Sequence, residues 1–517
     1  MNVSTQKLVL VILDGWGLAP AGPGNAISLA STPVMDNLLV KSPMTTLITH
    51  GRSVGLPDVQ LGNSEAGHEN IGAGTTVNRD TIRIWESVID QSFFDLPAFM
   101  KAVEHVKKNG SSMHVIGLLQ YGPGGGTHAD PDHLYAILEM LRRQKVSQVF
   151  IHLITDGRDS PPQAAKQVVA DFISRLRPNE KVVSVQGRLY AMDRNNNWDR
   201  TTKAFDCLVK GQGKQATDPV AAIMDAYSKD ETDEFISPYI IGQGKSIKDN
   251  DAIIMTNLRA DRARQLTQMF MQPDFDQVHG EVSQKNRPKN LCYVGLTDFG
   301  LNYPNLYTAF PAISRRGTLP FTLGNLRQAY LAESEKFPHI TYFLNGGNFM
   351  PVAGEKQIKI ESDRVASFAD NPEMSAEALT QATMSAIETN DFVAVNYANP
   401  DMVGHTGDIA AGVRAAAHVD YCLGRLISFA KRNQARLLIT ADHGNLERLR
   451  EPDTGEINTS HTNNPVPFIF LDDGDSVVNS AIGKLCNIAP TILNLLGQPL
   501  SAEMNAESLV VRQKVWA

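Results

Sequence analysis

Leu8-Val-Leu-Val-Ile-Leu13-Asp14-Gly15-Trp16-Gly17 decides the reading of this chain. Six apolar residues without alternation describe a strand covered on both faces, as in a parallel sheet. The run ends on a carboxylate and two glycines. In open α/β sheets, ligands bind beyond the carboxyl ends of the strands. The run is too short for a signal-peptide core or a membrane span, which takes about 20 apolar residues, and no later stretch approaches that length.

Similar apolar runs recur at Met113–Leu119, Val149–Ile154, Val182–Val185, Ala252–Met255, Phe392–Asn396, Leu437–Thr440 and Val466–Leu471. Amphipathic stretches at Pro131–Arg143, Pro162–Leu176, Ala376–Glu388, Ala410–Lys431 and Ala481–Leu496 lie between them and predict helices. The alternation predicts an α/β fold with mostly parallel sheets. Three strands run into polar residues: Asp14, Asp401 shortly after Asn396, and Asp442-His443.

Acidic and histidine clusters lie near both ends of the chain, and arginine-rich motifs lie in its middle. This distribution predicts an insertion: a discontinuous metal-binding domain over 1–77 and 312–517, carrying a substrate-binding domain over 78–311. The joins near Asn78 and Phe310-Pro311 are then the expected hinges.

With 517 residues, two domains are expected at about 150 residues each or more. A net charge of -8 excludes a global pull toward nucleic acid. Cys207, Cys292, Cys422 and Cys486 share no paired spacing, so neither a disulfide framework nor a structural zinc site is expected. A cytoplasmic protein without a membrane partner is the resulting expectation.

The late motifs hold the chemistry. Asp401 and His405 stand four apart, Asp442-His443 follows a strand, and His461 sits in Thr459-Ser-His-Thr-Asn-Asn464. With Asp14 they supply three carboxylates and three imidazoles, a ligand set for two divalent ions. Taken singly, each reads as a satisfied His–Asp pair of no catalytic meaning, and it is their joint occurrence that points to metal. Ser64 lies in Gly62-Asn-Ser-Glu-Ala-Gly-His68. Gly67 falls one position late for a G-x-S-x-G elbow, which disfavours acyl transfer. Activation of the hydroxyl by a metal is the alternative to an ordinary turn serine.

Val11-Ile-Leu-Asp14-Gly-Trp-Gly17, Gly62-Asn-Ser64-Glu-Ala-Gly-His68, Asn399-Pro-Asp401-Met-Val-Gly-His405-Thr-Gly and Thr440-Ala-Asp442-His443-Gly-Asn445 resemble cofactor-independent phosphoglycerate mutases of the alkaline phosphatase superfamily. The resemblance runs nearly end to end. It implies an alkaline-phosphatase-like domain carrying an inserted one, a monomer, no organic cofactor and two Mn2+ ions, with Co2+ or Zn2+ suiting the same ligands. One ion would be held by Asp401, His405 and His461, the other by Asp14, Ser64, Asp442 and His443, and Ser64 would accept a phosphoryl group.

The middle of the chain offers Arg158-Asp159, Arg188, Arg194, Arg259 and Arg262. Planar guanidinium forks suit carboxylate and phosphate. On spacing alone these are solvated or salt-bridged charges. The resemblance implies that they bind phosphoglycerate, together with His128, while Asp159 handles the glycerate hydroxyl proton. It also implies that Lys336, otherwise a helix-surface lysine, contacts the transferring group. The run Gln120-Tyr-Gly-Pro-Gly-Gly-Gly-Thr-His128 is about three residues longer than the family pattern, and Thr75 stands where arginine is usual. The expected reaction is a two-step transfer in glycolysis and gluconeogenesis between 3- and 2-phosphoglycerate. Its rivals are a hydrolytic or other mutase activity of the same superfamily, and an inert metal-binding module.

Overall fold

The computed structural model describes residues 7–121, 128–282, 287–352, 354–472, 474, 476–479 and 481–512. Two compact units result: Met1–Arg79 with Ser314–Ala517, and Asp80–Ile313. The Gly-rich departure at 122–127 lies outside the described residues. Among the described residues no helix is long and apolar enough to cross a membrane.

The first unit holds an eight-stranded sheet in the order 355–360, 328–333, 392–397, 8–13, 436–440, 466–471, 44–48, 483–484. Its first five strands run parallel, and Val466–Leu471 runs antiparallel to both its neighbours. Leu8–Leu13 is buried at every position, because helices cover the sheet and the strand lies near its centre. Leu13 pairs with Tyr397, and Ile12 with Thr440. That register delivers Asp14, Asp401 and Asp442 to one end of the sheet.

The second unit has its own eight-stranded sheet, ordered 306–310, 292–297, 252–255, 113–119, 149–155, 180–187, 239–241, 214–216. All its pairings are parallel except that of 180–187 with 239–241. Both units are thus α/β with mostly parallel sheets. The four cysteines are free and buried.

Two predicted helices change at their starts. The helix expected from Pro162 begins at Ala165, where the Asp233 carboxylate accepts the Ala165 N–H at 2.8 Å and fixes the first turn. The stretch from Ala481 does not begin as a helix. Gly483–Lys484 joins the sheet edge beside Leu47–Ile48, and the helix spans only Ile488–Leu495. The Asn487 side chain accepts the Lys484 N–H at 2.8 Å and closes the intervening turn.

Candidate active site and metal centre

Ser64 is the first residue of the helix Ser64–Ala73, not part of a plain turn. Asn63 caps it, accepting the Ala66 N–H at 2.9 Å. Two glycines let the segments meet. A side chain at Gly67 would collide with Asp442, and Gly15, at φ +78°, lies against Asp401.

All the residues expected to bind metal in the first unit come together. The donor atoms of Asp401, His405 and His461 lie within 4.8 Å of one another, as do those of Asp14, Asp401 and His443. Ser64 Oγ stands 3.0 Å from His443 Nε2 and 3.4 Å from Asp14 Oδ1. His443 Nε2 is 3.5 Å from Asp442 Oδ2. Lys336 is no surface lysine: it is 3% exposed. Its ammonium donates to Ser64 Oγ at 2.7 Å and pairs with Asp14 at 2.7 Å and Asp401 at 2.5 Å.

The protonation pattern points to cations. His405 Nδ1 faces the Thr459 carbonyl at 2.8 Å, and His461 Nδ1 faces the Gly62 carbonyl at 2.7 Å. A carbonyl only accepts, so each Nδ1 carries the proton. The two Nε2 atoms then face each other at 3.2 Å and face Asp401 Oδ1 at 3.2 and 3.3 Å. The hydrogen bond to Asp401 raises the pKa of His405 and, against burial, that of His461, and two imidazoles and a carboxylate converging on one point form a seat that a metal ion can take in place of a proton. The charges agree: Asp14, Asp401 and Asp442 bring three buried negative charges against the single positive charge of Lys336. Among the described residues Asp442 Oδ2 faces only the imidazoles of His68 and His443, at 3.3 and 3.5 Å. A divalent cation fits this donor set.

The same excess charge splits the carboxylates. Burial, followed by the charge of Asp442, raises the pKa of Asp14. Burial would raise that of Asp401, but Lys336 and His443 hold it far down. Burial acts against the Lys336 ammonium, yet Asp14, Asp401 and Asp442 keep it charged well beyond the ordinary lysine range.

Several residues of this site were not assigned from sequence. His68 Nδ1 lies 2.9 Å from the Ser64 carbonyl, and its Nε2 lies 2.9 Å from the amide of Asn396, which donates to Asp14 Oδ2 at 2.7 Å. Asn445 donates to Asp401 Oδ1 at 2.8 Å. His68 and Asn445 stand inside the quoted motifs, which was the only signal for them. Thr462 likewise stands in the stretch quoted around His461, and Glu447 carried no signal.

The expected anion-binding residues form a separate cluster in the second unit. Arg188 is buried and pairs through Nη1 with Asp156 at 2.5 Å and Asp159 at 2.6 Å. Asp159 Oδ2 is 3.4 Å from His128 Nε2. Arg194 and Arg259 share Asp261 at 2.7 and 3.3 Å, and Arg158 pairs with Glu234 at 3.3 Å. Arg262 donates to the Met192 carbonyl at 3.2 Å. Burial, then Arg194 and Arg188, lowers its pKa, a sign of crowded like charges. Burial and Arg188 push His128 down to about 4, so it is neutral at pH 7. His128 Nδ1, Arg262 Nε and both amide atoms of Asn257 are buried without a hydrogen-bond partner among the described residues.

Comparison with known proteins agrees with this arrangement. Residues 84–300 match the family model described as "BPG-independent PGAM N-terminus", and 326–465 match "Type I phosphodiesterase / nucleotide pyrophosphatase". The 2,3-bisphosphoglycerate-independent phosphoglycerate mutase of Chloroflexus aggregans is 43% identical over 98% of this chain and 99% of its own. That of Moorella thermoacetica is 41% identical over the same shares. A crystal structure of Leishmania mexicana phosphoglycerate mutase at low cobalt concentration aligns over 99% of both chains at 27% identity, with a TM-score of 0.67. The chain belongs to the family of 2,3-bisphosphoglycerate-independent phosphoglycerate mutases, which are isomerases.

Proposed function

We propose that this chain interconverts 3-phosphoglycerate and 2-phosphoglycerate through a phosphoserine at Ser64, as a cytoplasmic monomer without bisphosphoglycerate. The observation that carries the reading is the Ser64 hydroxyl, set at a helix N-terminus between Lys336, His443 and Asp14. Bound ions, Mn2+ in this reading, would lower the hydroxyl pKa and offset charge on the phosphoryl oxygens.

Ser64 Oγ attacks phosphorus as its hydroxyl proton leaves, the bond from phosphorus to the substrate's O3 breaks, and O3 takes up that proton. The Lys336 ammonium, hydrogen-bonded to Ser64 Oγ, meets the phosphoryl group as it arrives. The arginine cluster with neutral His128 takes the anionic groups of the glycerate. Asp159 then accepts the proton of the 2-hydroxyl, whose oxygen attacks the phosphoserine and frees Ser64. Asp159 suits that role because Arg188 fixes it beside His128. The Asp80–Ile313 unit is thus the substrate-binding domain, and the other the metal-binding one.

The test is product analysis of the manganese-loaded enzyme, with mass spectrometry of the peptide containing Ser64. Formation of 2-phosphoglycerate and a phosphorylated Ser64 is expected. Predominant release of inorganic phosphate would reject the mutase in favour of a phosphatase.

A further inference from the structure

We infer that Glu447 is a positioning residue that locks the ligand loops of the metal centre into one frame; the inference rests on the metal centre argued above. Its carboxylate is 2% exposed. Oε2 accepts the N–H of Gly17 at 3.1 Å and of Asn445 at 2.8 Å. Oε1 accepts the hydroxyl of Thr462 and the amide of Asn464 at 2.9 Å. No ion pair to it occurs among the described residues, so its charge is met by four neutral donors. A fully hydrogen-bonded carboxylate of this kind tolerates burial.

The four donors come from three loops, and each loop carries a candidate ligand. Gly17 is three residues after Asp14, Asn445 is two after His443, and Thr462 follows His461. Asn445, held by Glu447 through its N–H, passes the constraint to Asp401 through its amide. The backbone is shaped for this group: a side chain at Gly17 or Gly444 would fall on the Glu447 carboxylate. Groups that orient metal ligands from behind affect metal affinity by about 10- to 100-fold.

Only a carboxylate of this length meets all four donors. Glutamine keeps the shape but turns an NH2 toward two of them, whichever way the amide lies. Aspartate falls one methylene short.

The experiment measures Mn2+ affinity by calorimetric titration of the full chain stripped with chelator. Wild type is compared with Glu447→Gln, Thr462→Val, Asp401→Asn and Leu426→Ala. Leu426 is a buried core residue of the 409–432 helix, and its truncation serves as a control that lowers the melting temperature. Glu447→Gln is expected to weaken Mn2+ binding about 10- to 100-fold, and saturating Mn2+ is expected to restore most of its kcat. Leu426→Ala should lose stability yet bind Mn2+ like wild type. Thr462→Val removes one donor, so a weaker effect of the same sign is expected even if Glu447→Gln fails to fold. Glu447→Gln or Thr462→Val binding Mn2+ like the Leu426→Ala control overturns the inference. Asp401→Asn binding like wild type, or wild type not binding at all, overturns the metal centre itself and the clamp with it.

Discussion

In the first unit three buried carboxylates face one ammonium. In the second, five guanidiniums face four carboxylates, and three of the five, Arg158, Arg194 and Arg259, have side chains at least 40% exposed. The first cluster is built to hold charge that has no escape into water. Its carboxylates outnumber its one ammonium, and a supporting shell of His68, Asn396, Asn445 and Glu447 keeps them from drifting. The second is pre-neutralised: each exposed arginine rests on an aspartate or glutamate from which an incoming anion can take it. Burial separates the two designs. Preorganisation in a dry site strengthens every electrostatic interaction there, whereas an exposed pair is screened and costs little to exchange.

If the dry cluster carries the chemistry, removing its one nucleophile should have the largest effect anywhere in the molecule. Ser64→Ala is expected to lower kcat about 10⁴-fold or more. Mn2+ binding should be largely kept, because the carboxylates and imidazoles stay. Single-turnover assays with metal titration check both halves. Residual activity near wild type would move the nucleophile elsewhere.

Arg188 tests whether burial or location sets the behaviour of the second cluster. It lies among exposed arginines but is itself buried against Asp156, which also accepts from Ser160 at 2.7 Å and Gln120 at 3.2 Å. Arg188→Met leaves that carboxylate without its cation and should cost about 3 kcal/mol of stability, read from the denaturant midpoint. An unchanged midpoint would show that the pair is as dispensable as its exposed neighbours.

Acid should act on the second unit through its buried neutral histidines. Burial pushes His133 down to about 4, and burial also lowers His114 and His152, which face each other at 2.9 Å. Unfolded histidine titrates near 6.5. The folded pKa is therefore depressed, the stability is fully present above about 6.5, and it is lost as pH falls toward 4. His133 alone accounts for up to about 3 kcal/mol over that window. Hydrogen exchange in strands 113–119 and 149–155, corrected for intrinsic rates, should report the loss, and His133→Phe should flatten it. A profile that stays steep in that variant would assign the loss to other groups.

The candidate ligands of the first cluster that meet in the structure could be picked out because Asp14, Asp401 and Asp442-His443 each sit in a short contiguous motif just after a strand, and a parallel sheet gathers strand ends. The strands Leu8–Leu13, Met113–Leu119, Ala252–Met255 and Val466–Leu471 occupy the residues read from their apolar runs. Glu447 was not legible: its role exists only where three loops meet, and nothing in its local pattern records the N–H of Gly17, 430 positions away. Lys336 was found by motif, but its burial between two aspartates follows from the turn after strand 328–333 and not from composition. The helix expected over 481–496 failed for a related reason. Apolar spacing continues through Gly483, but an edge strand offered that backbone a partner. Spacing likewise made the five arginines look alike, because which one is buried depends on where Asp156 ends its strand.

Arg259 gives the smallest and most discriminating effect. Its side chain is 48% exposed and touches Asp261 at 3.3 Å, a carboxylate already held by Arg194 at 2.7 Å. Arg259→Ala should therefore change stability by no more than about 0.5 kcal/mol. If the exposed arginines wait for an anion, the same change should raise KM for phosphoglycerate roughly tenfold with kcat nearly unchanged, the mark of an interaction made equally in ground and transition states. A fall in kcat instead would place Arg259 at the transferring phosphoryl group. No change in either constant would reduce it to a surface charge paired with Asp261, leaving substrate binding to the buried Arg188 and the crowded Arg262.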